Sequence, residues 1–441
     1  MRFLVVSLCL LVGCLAQRPH PCSSPPLLSG GMTVTTQNEK LFTVAQYMYD
    51  ALGQRIRLWE IGKYENRTFT YDALLLFREG TVYEINDRAH SCRKGPLRGD
   101  FQPLAVPKDA TLLAQSVLGS SSGPGEGLLI NTWTGELANN AGKYMSTVTE
   151  FGCIPVSSLY HSADFGWTVT SFYNNIIGIS DPGQLNPPDY CQGAETKEES
   201  SDFFSVFLNM HSVFGSLCRK QRYPPSDSMR ALVLFACLSV GCLAQRPRKC
   251  TSPPLLTGSL SVSSQSERLT AFAQFSYDAL GKRIRIREIV SYDNQTLHAD
   301  ALLLYREGVM LLISYRNRTC YKKPLKMDFH PLEIPQNASL LGQAVLGSSS
   351  GPGQGVLVNT WAGELRMKQG TAKYISTVTE FGCIPVSTLF HTRENGWFIT
   401  SFFNNVIGLV DPQLLLPPPF CEDAQLEDAD GEEPVTFFSL F

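Results

Sequence analysis

The chain has 441 residues, 43% of them hydrophobic, and a formal net charge of -3. That balance excludes a disordered polyelectrolyte, and a nucleic-acid partner would call for a basic footprint that the chain lacks. No apolar run reaches the roughly 20 residues of a membrane span, so a secreted or lumenal product without a membrane anchor is expected.

The chain opens with "MRFLVVSLCLLVGCLAQRP" and restarts at residue 229 with "MRALVLFACLSVGCLAQRP". Each stretch has one arginine, an apolar run and a small residue before a polar one, at Ala16-Gln17 and Ala244-Gln245, which is the layout of a secretory signal peptide. The repetition continues: "YDALGQRIRL" (49–58) matches "YDALGKRIRI" (277–286), and "STVTEFGCIPVS" (146–157) matches 376–387. A period this long is a domain duplication, because solenoid and propeller repeats recur every 20 to 50 residues or so. The expected organisation is a signal peptide (1–16), a first domain (17–192), a tail and linker without a counterpart (193–228), a second signal-like segment (229–244), a second domain (245–421) and an acidic tail (422–441). Such a chain arises from a fused gene model, a read-through transcript or a true tandem protein.

Within a unit the dominant period is two, as in half-buried strands. Leu41 to Ile61 reads as a hairpin turning at "DALG", with Ile56, Leu58 and Ile61 (in the second copy Ile284, Ile286 and Ile289) as its apolar set, separated by arginines. In "TAFAQFSY", Ala271, Ala273, Phe275 and Tyr277 share a face. Residues 72–85 form a second hairpin turning at 78–80. Further strands are expected at 112–118, 127–134, 143–150, 156–161, 166–173 and 175–180. About ten short strands without a helical segment imply an antiparallel sheet domain, closed or stacked to cover its apolar faces. The proline-rich segments 181–191 and 411–421 cannot be central strands and read as extended tails held by the final cysteine.

Eight of the 13 cysteines form two matched sets, Cys22, Cys92, Cys153, Cys191 and Cys250, Cys320, Cys383, Cys421. Behind a signal peptide an even set reads as two disulfides per unit, with three connectivities open. No C-x2-C pair occurs among them, which speaks against zinc. Sequons at Asn66, Asn294, Asn317 and Asn337 mark candidate glycosylation sites.

The catalytic alternatives are thin. "GSSSGPGEG" (119–127) lacks the lysine and hydroxyl residue of a phosphate loop. His161 and His391 have Ser157, Ser387, Glu150 and Glu380 nearby in sequence, but no nucleophile elbow. Glu136 and Glu364 would need a second carboxylate for glycosidase chemistry. The aromatics Tyr47, Tyr49, Trp133, Tyr144, Trp167 and Phe172, matched by Phe275, Tyr277, Trp361, Tyr374, Trp397 and Phe402, fit either a plain core or the lining of an apolar pocket. The row Arg55 and Arg57, or Arg283, Arg285 and Arg287, fits a solvated strand face or a surface for anionic headgroups.

Taken together, "YDALGQRIR", "LLLFREGTVYEI", "FGCIPV" and the closing "IGISDPGQLNPPDYC" and "IGLVDPQLLLPPPFC" resemble the ependymin family, including its mammalian ependymin-related branch, across nearly all of each unit. The resemblance implies a mostly-β fold: two stacked antiparallel sheets forming a half-open barrel around a hydrophobic pocket, similar to bacterial lipoprotein carriers. It further implies a secreted or lysosomal, non-enzymatic glycoprotein that binds a lipid or other hydrophobic ligand, associates with calcium and forms dimers. Roles in extracellular matrix and cell adhesion are the alternative. Carried over position by position, it pairs Cys22 with Cys153, Cys92 with Cys191, Cys250 with Cys383 and Cys320 with Cys421.

Overall fold

The computed structural model describes residues 19–194 and 247–426, apart from residues 39, 66, 98–99, 137–141, 163–165, 265–268, 293–294, 326–327, 368–369, 393–395 and 423. Both leader-like stretches, the linker, the sequons at Asn66 and Asn294 and most of the acidic tail lie outside the described residues. The chain divides into two compact units, Met1–Gln115 with Leu129–Leu217, and Ser116–Leu128 with Cys218–Phe441.

Among the described residues strand accounts for 62% and helix for 4%, so the fold is mostly β, a β-barrel with additional strands. Counted by sequence copy, the strands of the first unit are β1 (Leu27–Thr36), β2 (Leu41–Asp50), β3 (Arg55–Tyr64), β4 (Arg67–Leu76), β5 (Thr81–Asn86), β6 (Ser91–Pro96), β7 (Thr111–Gly119), β8 (Gly127–Glu136), β9 (Lys143–Thr149), β10 (Pro155–Ser162) and β11 (Gly166–Ile177), a count that leaves the end of β7 and the start of β8 in the first unit. The second unit repeats them as β12 (Leu255–Ser264), β13 (Leu269–Asp278), β14 (Arg283–Tyr292), β15 (Gln295–Leu304), β16 (Val309–Ser314), β17 (Thr319–Pro324), β18 (Ser339–Gly347), β19 (Gly355–Met367), β20 (Gly370–Thr379), β21 (Pro385–Thr392) and β22 (Gly396–Ile407). In the first unit β1 to β6 form an antiparallel meander, and β8 to β11 form a second one. The β1–β11 ladder joins the two halves into one sheet, and β12–β22 does the same in the second unit.

The first hairpin turns where "DALG" stands, because the Asp50 carboxylate accepts from the Gly53 N–H at 2.7 Å and closes the turn with its side chain. The expected strands 166–173 and 175–180 are one element, β11, with a bulge at Asn174, which adopts φ 52°. Sequence reasoning missed β1, a Gly-, Ser- and Thr-rich strand that pairs on both edges. A Cβ on its Gly31 would come within 2.4 Å of the Tyr173 ring, so the missing side chain is what lets the rings pack on this strand.

Each unit has two buried layers. On the inner face of the first, Leu28, Met32, Tyr47, Tyr49, Leu58, Leu75 and Phe172 form the main core. On the outer face Leu74, Leu76, Tyr83 and Ile85 are covered by the tail residues Leu185 and Cys191. The tail forms two short 3-10 turns, Pro182–Leu185 and Asp189–Cys191, and is stapled to β6 by the Cys92–Cys191 disulfide. Cys22–Cys153 fastens the N-terminal segment to the turn between β9 and β10. The second unit carries Cys250–Cys383 and Cys320–Cys421 in the same places.

Within the arginine row Arg57 and Arg285 are not solvated but buried beneath the tail, whereas Arg287 is exposed. Arg57 is buried, forms a two-pronged pair with Asp72 at 3.0 and 2.9 Å, and donates to the Gln184 carbonyl of the tail at 2.9 Å. Arg285 repeats this with Asp300 and the Leu414 carbonyl. Arg55 pairs with Asp50 and donates to Asn186 Oδ1, while Arg287 donates to Gln274 from an exposed position. Alternation assigned these arginines to the correct face; what it could not show was the tail lying across them.

One divergence between the copies yields a direct test of packing. In the first unit the Tyr47 hydroxyl donates to Asn175 Oδ1 at 2.6 Å; in the second, Phe275 replaces the tyrosine and the matching Asn405 Oδ1 is buried without a hydrogen-bond partner. Phe275→Tyr is therefore expected to stabilise the second unit, and Tyr47→Phe to destabilise the first, each by about 1 kcal/mol. Urea titrations that resolve the two unfolding transitions measure both shifts.

Candidate functional site

Strand register identifies the inner-facing residues. In the first unit one row crosses six strands: Thr43 on β2, Val34 on β1, Thr170 on β11, Ser158 on β10, Ser146 on β9 and Trp133 on β8. The second unit repeats it as Ala271, Val262, Thr400, Thr388, Ser376 and Trp361. At about 4.8 Å per strand the row spans roughly 24 Å of curved sheet. Five of its six side chains are small in both copies, and in the first unit all six are buried, in contrast to the larger side chains of the adjacent row of Met32 and Phe172.

Polar atoms stand at both ends of the row. Trp133 is 2% exposed, and its Nε1 has no hydrogen-bond partner among the described residues. Trp361 repeats this condition. At the other end, Glu60 on β3 is 1% exposed; its Oε2 accepts from the Thr43 hydroxyl at 3.3 Å and its Oε1 accepts no hydrogen bond among the described residues. Ala45 lies opposite Glu60 on β2 and Tyr71 on β4. Tyr71 is occupied by a hydrogen bond to Glu84 at 3.1 Å. Glu288, buried at 4%, holds the same place in the second unit between Ala273 and Ala299.

Sequence reasoning missed Glu60 and Glu288. It counted Ile61 and Ile289 into the apolar set, yet strict parity from Ile56 and Leu58 leads to residue 60, and Ile61 faces outward at 68% exposure. The available signal was the even step 56, 58, 60, which places a carboxylate on the core face.

Burial pushes the Glu60 carboxyl up to about 7, against a smaller opposing effect of the Thr43 hydrogen bond. The folded state therefore holds a proton that the unfolded state releases near 4.5. The stability this supplies is full below that value and is lost as pH rises through 7. The difference is about 3 kcal/mol at roughly 1.36 kcal/mol per pH unit. In Glu60→Gln the first unit's melting temperature is expected to vary less between acidic and mildly alkaline buffer than in the natural chain.

The aromatic candidates fall into separate groups. Tyr47, Tyr49 and Phe172 pack into the main core, with Phe275, Tyr277 and Phe402 in the second unit. Tyr49 also accepts from the Leu104 N–H and stacks on Phe101, so it holds the segment that crosses the inner face. Trp133 packs with Val106, Val148 and Cys153, whereas Trp361 and Tyr374 share a cluster with Cys383. Tyr144 lines a small depression with Met145, Leu159, Tyr160 and Pro107. Trp167 and Trp397 do not join them. Alternation along β11 turns Thr168, Thr170 and Phe172 inward and Trp167 the other way, where its ring meets His161 at 5.2 Å; Trp397 meets His391 at 4.9 Å.

The residues considered for hydrolysis are not assembled. Ser157 and His161 lie four residues apart on one strand, about 13 Å of extended chain. Glu150 accepts instead from Asn131 and Gln115, and Glu380 likewise from Asn359 and Gln343. Glu136 ends β8 in an exposed position. Among the described sequons, Asn317 sits exposed in the turn between β16 and β17, and exposed Asn337 donates to the Glu364 carbonyl at 2.7 Å. Among the described residues no group of three or more His, Cys, Asp or Glu side chains could hold a metal ion.

Comparison with known proteins gives consistent relatives. Ependymin-2 of Carassius auratus is 33% identical over 210 residues, 47% of this chain and 95% of its own length. Ependymin of Notemigonus crysoleucas is 34% identical, with the same shares. Mammalian ependymin-related protein 1 of Mus musculus is 31% identical over 42% of this chain and 82% of its own. Among solved structures, an uncharacterized conserved protein from Thermus thermophilus is 12% identical, covering 40% of this chain and 90% of that chain at a TM-score of 0.26. The Ependymin family profile matches twice, at residues 65–191 and 293–421, together more than half of the chain, and the chain belongs to the ependymin family.

Proposed function

We propose that each unit is a secreted, non-catalytic carrier or sensor that holds a lipid or another hydrophobic molecule against the inner face of its sheet. The observation that supports this is the row of small side chains, present in both copies, with a buried tryptophan at one end whose Nε1 has no hydrogen-bond partner among the described residues, Trp133 in one copy and Trp361 in the other, and with Glu60 Oε1 in the same condition at the other end of the first. Packed interiors rarely leave buried polar atoms without partners, and ligand pockets combine apolar walls with a few convergent polar groups. Secretion is supported by the two leader-like stretches and by the disulfides of each unit, which persist in oxidising compartments. No helix among the described residues is long and apolar enough to cross a membrane.

The test is a titration of the delipidated full-length chain with Nile red. Saturable uptake that a long-chain lipid displaces is the expected result. Uptake that rises linearly without saturation and is insensitive to lipid would overturn the reading.

A further inference from the structure

At the tryptophan end of the row, each unit sets two hydrogen-bond donors side by side. Trp133 and Gly135 share a face of β8, and Tyr144, opposite Gly135 on β9, folds over it: a Cβ on Gly135 would come within 2.6 Å of the Tyr144 hydroxyl. Successive side chains on one face of a strand lie about 7 Å apart, so the hydroxyl stands beside the indole. Trp361, Gly363 and Tyr374 repeat the arrangement, with the same 2.6 Å. Trp133 Nε1, Tyr144 Oη, Trp361 Nε1 and Tyr374 Oη are all buried, and none has a hydrogen-bond partner among the described residues. A ring needed only for packing does not need its polar atom, and elsewhere the copies exchange tyrosine for phenylalanine: Tyr47, Tyr160 and Tyr173 correspond to Phe275, Phe390 and Phe403. The Tyr47 hydroxyl is absent from the second copy although it has a partner in the first. The Tyr144 hydroxyl is present in both, at the cost of an unpaired buried group.

We propose that these donor pairs, Trp133 with Tyr144 and Trp361 with Tyr374, hold the bound ligand by a neutral carbonyl oxygen, so that the units select lipids whose head begins with an ester or an amide. This rests on the carrier reading above and names its ligand class. An indole N–H donates and cannot accept, and a carbonyl oxygen has two lone pairs to offer two donors. Burial pushes the Tyr144 hydroxyl up to about 12, so it keeps its proton at physiological pH. The depression that Tyr144 lines with Ala105, Pro107, Ser146 and Tyr160 has a volume of about 10 Å³, roughly the room one oxygen atom takes. An ammonium head would set donors against donors. A carboxylate would need a buried cation to offset its desolvation, and the buried cations among the described residues, Arg57 and Arg285, are each paired with an aspartate.

The experiment uses the full-length chain loaded with diphenylhexatriene, a hydrocarbon dye with no acceptor of its own, displaced by methyl dodecanoate, 1-chlorododecane or dodecylamine. The ester is expected to displace the dye about tenfold better than either of the others. In the Tyr144→Phe/Tyr374→Phe chain dye uptake is unchanged and the ester's advantage drops at least about threefold. The substitution removes an unpaired buried group and keeps the ring, so the fold is retained. In the natural chain labelled with 15N at its five tryptophans, two indole N–H resonances are expected to move downfield with the ester and to stay in place with the chloroalkane; Trp133→Phe and Trp361→Phe assign them.

Equal displacement by ester and chloroalkane, an advantage unchanged by the double substitution, or indole resonances that ignore the ester would overturn the proposal while leaving the carrier reading intact. Absence of saturable uptake of both this dye and Nile red would overturn both. The resonance shifts on the natural chain need neither dye nor variant, so they decide even if the substituted chain does not fold.

Discussion

Asp72→Ala is expected to destabilise the first unit by about 3–5 kcal/mol, because it leaves the buried guanidinium of Arg57 without its counter-charge. The pair is well enclosed, with the Arg57 side chain 6% and the Asp72 side chain 13% exposed. Burial raises the Asp72 carboxyl above its ordinary range, and the hydrogen bonds and charge of Arg57 offset only part of that. The pair is thus no large net source of stability; its importance lies in what breaks when one partner goes. Arg57 also lies over the Trp59 ring at 4.7 Å and holds the tail through the Gln184 carbonyl. Loosening it should uncover Leu74 and Leu76, so increased amide exchange in residues 181–191 is the accompanying sign. In the second unit Tyr315 takes over from the tryptophan, with Arg285 5.6 Å above its ring, and Asp300→Ala should behave alike. Chemical denaturation with exchange mass spectrometry measures both effects.

Removing the Cys22–Cys153 disulfide is the second large effect. The bridge closes 131 residues of chain, and a loop of that order restricts the unfolded ensemble enough that its loss costs about 2–5 kcal/mol. The native side adds to this. Cys153 packs with Trp133, Val148 and Val106, and its carbonyl accepts from the Ser24 hydroxyl at 2.8 Å. Thr149 braces the same turn, accepting from the Ile154 N–H and donating to the Phe151 carbonyl. The double substitution Cys22→Ser/Cys153→Ser should lower the first unit's denaturant midpoint and leave the second unit's unchanged. Cys250→Ser/Cys383→Ser should do the reverse. A single shared shift in both transitions would contradict this assignment of one bridge to one unit.

The hairpins and the outward arginines could be read from period-two alternation, since each depends on residues close in sequence. The strand β1 could not, because its glycines and serines hide the period and its place is set by partners on both sides, Thr43 and Thr170 against Val34. The same limit applied to the tail: proline marked it as no strand, but only the tertiary structure shows Leu185 sealing Leu74 and Leu76. At the candidate site the aromatic residues drew attention by their size, whereas the informative row is built of small ones. Serine, threonine and alanine on a strand carry no signal until register places them side by side. Glu60 was within reach of parity counting, and the neighbouring Ile61 drew the apolar face one residue too far.

The most direct measurement is native mass spectrometry of material secreted by expressing cells and then mixed with a defined lipid mixture. If the interior of each unit is a binding site, every ependymin unit carries one lipid: two on an intact chain, or one on each half where the chain is cleaved. Units that stay lipid-free across the mixture, while their disulfides and fold are intact, would contradict the account.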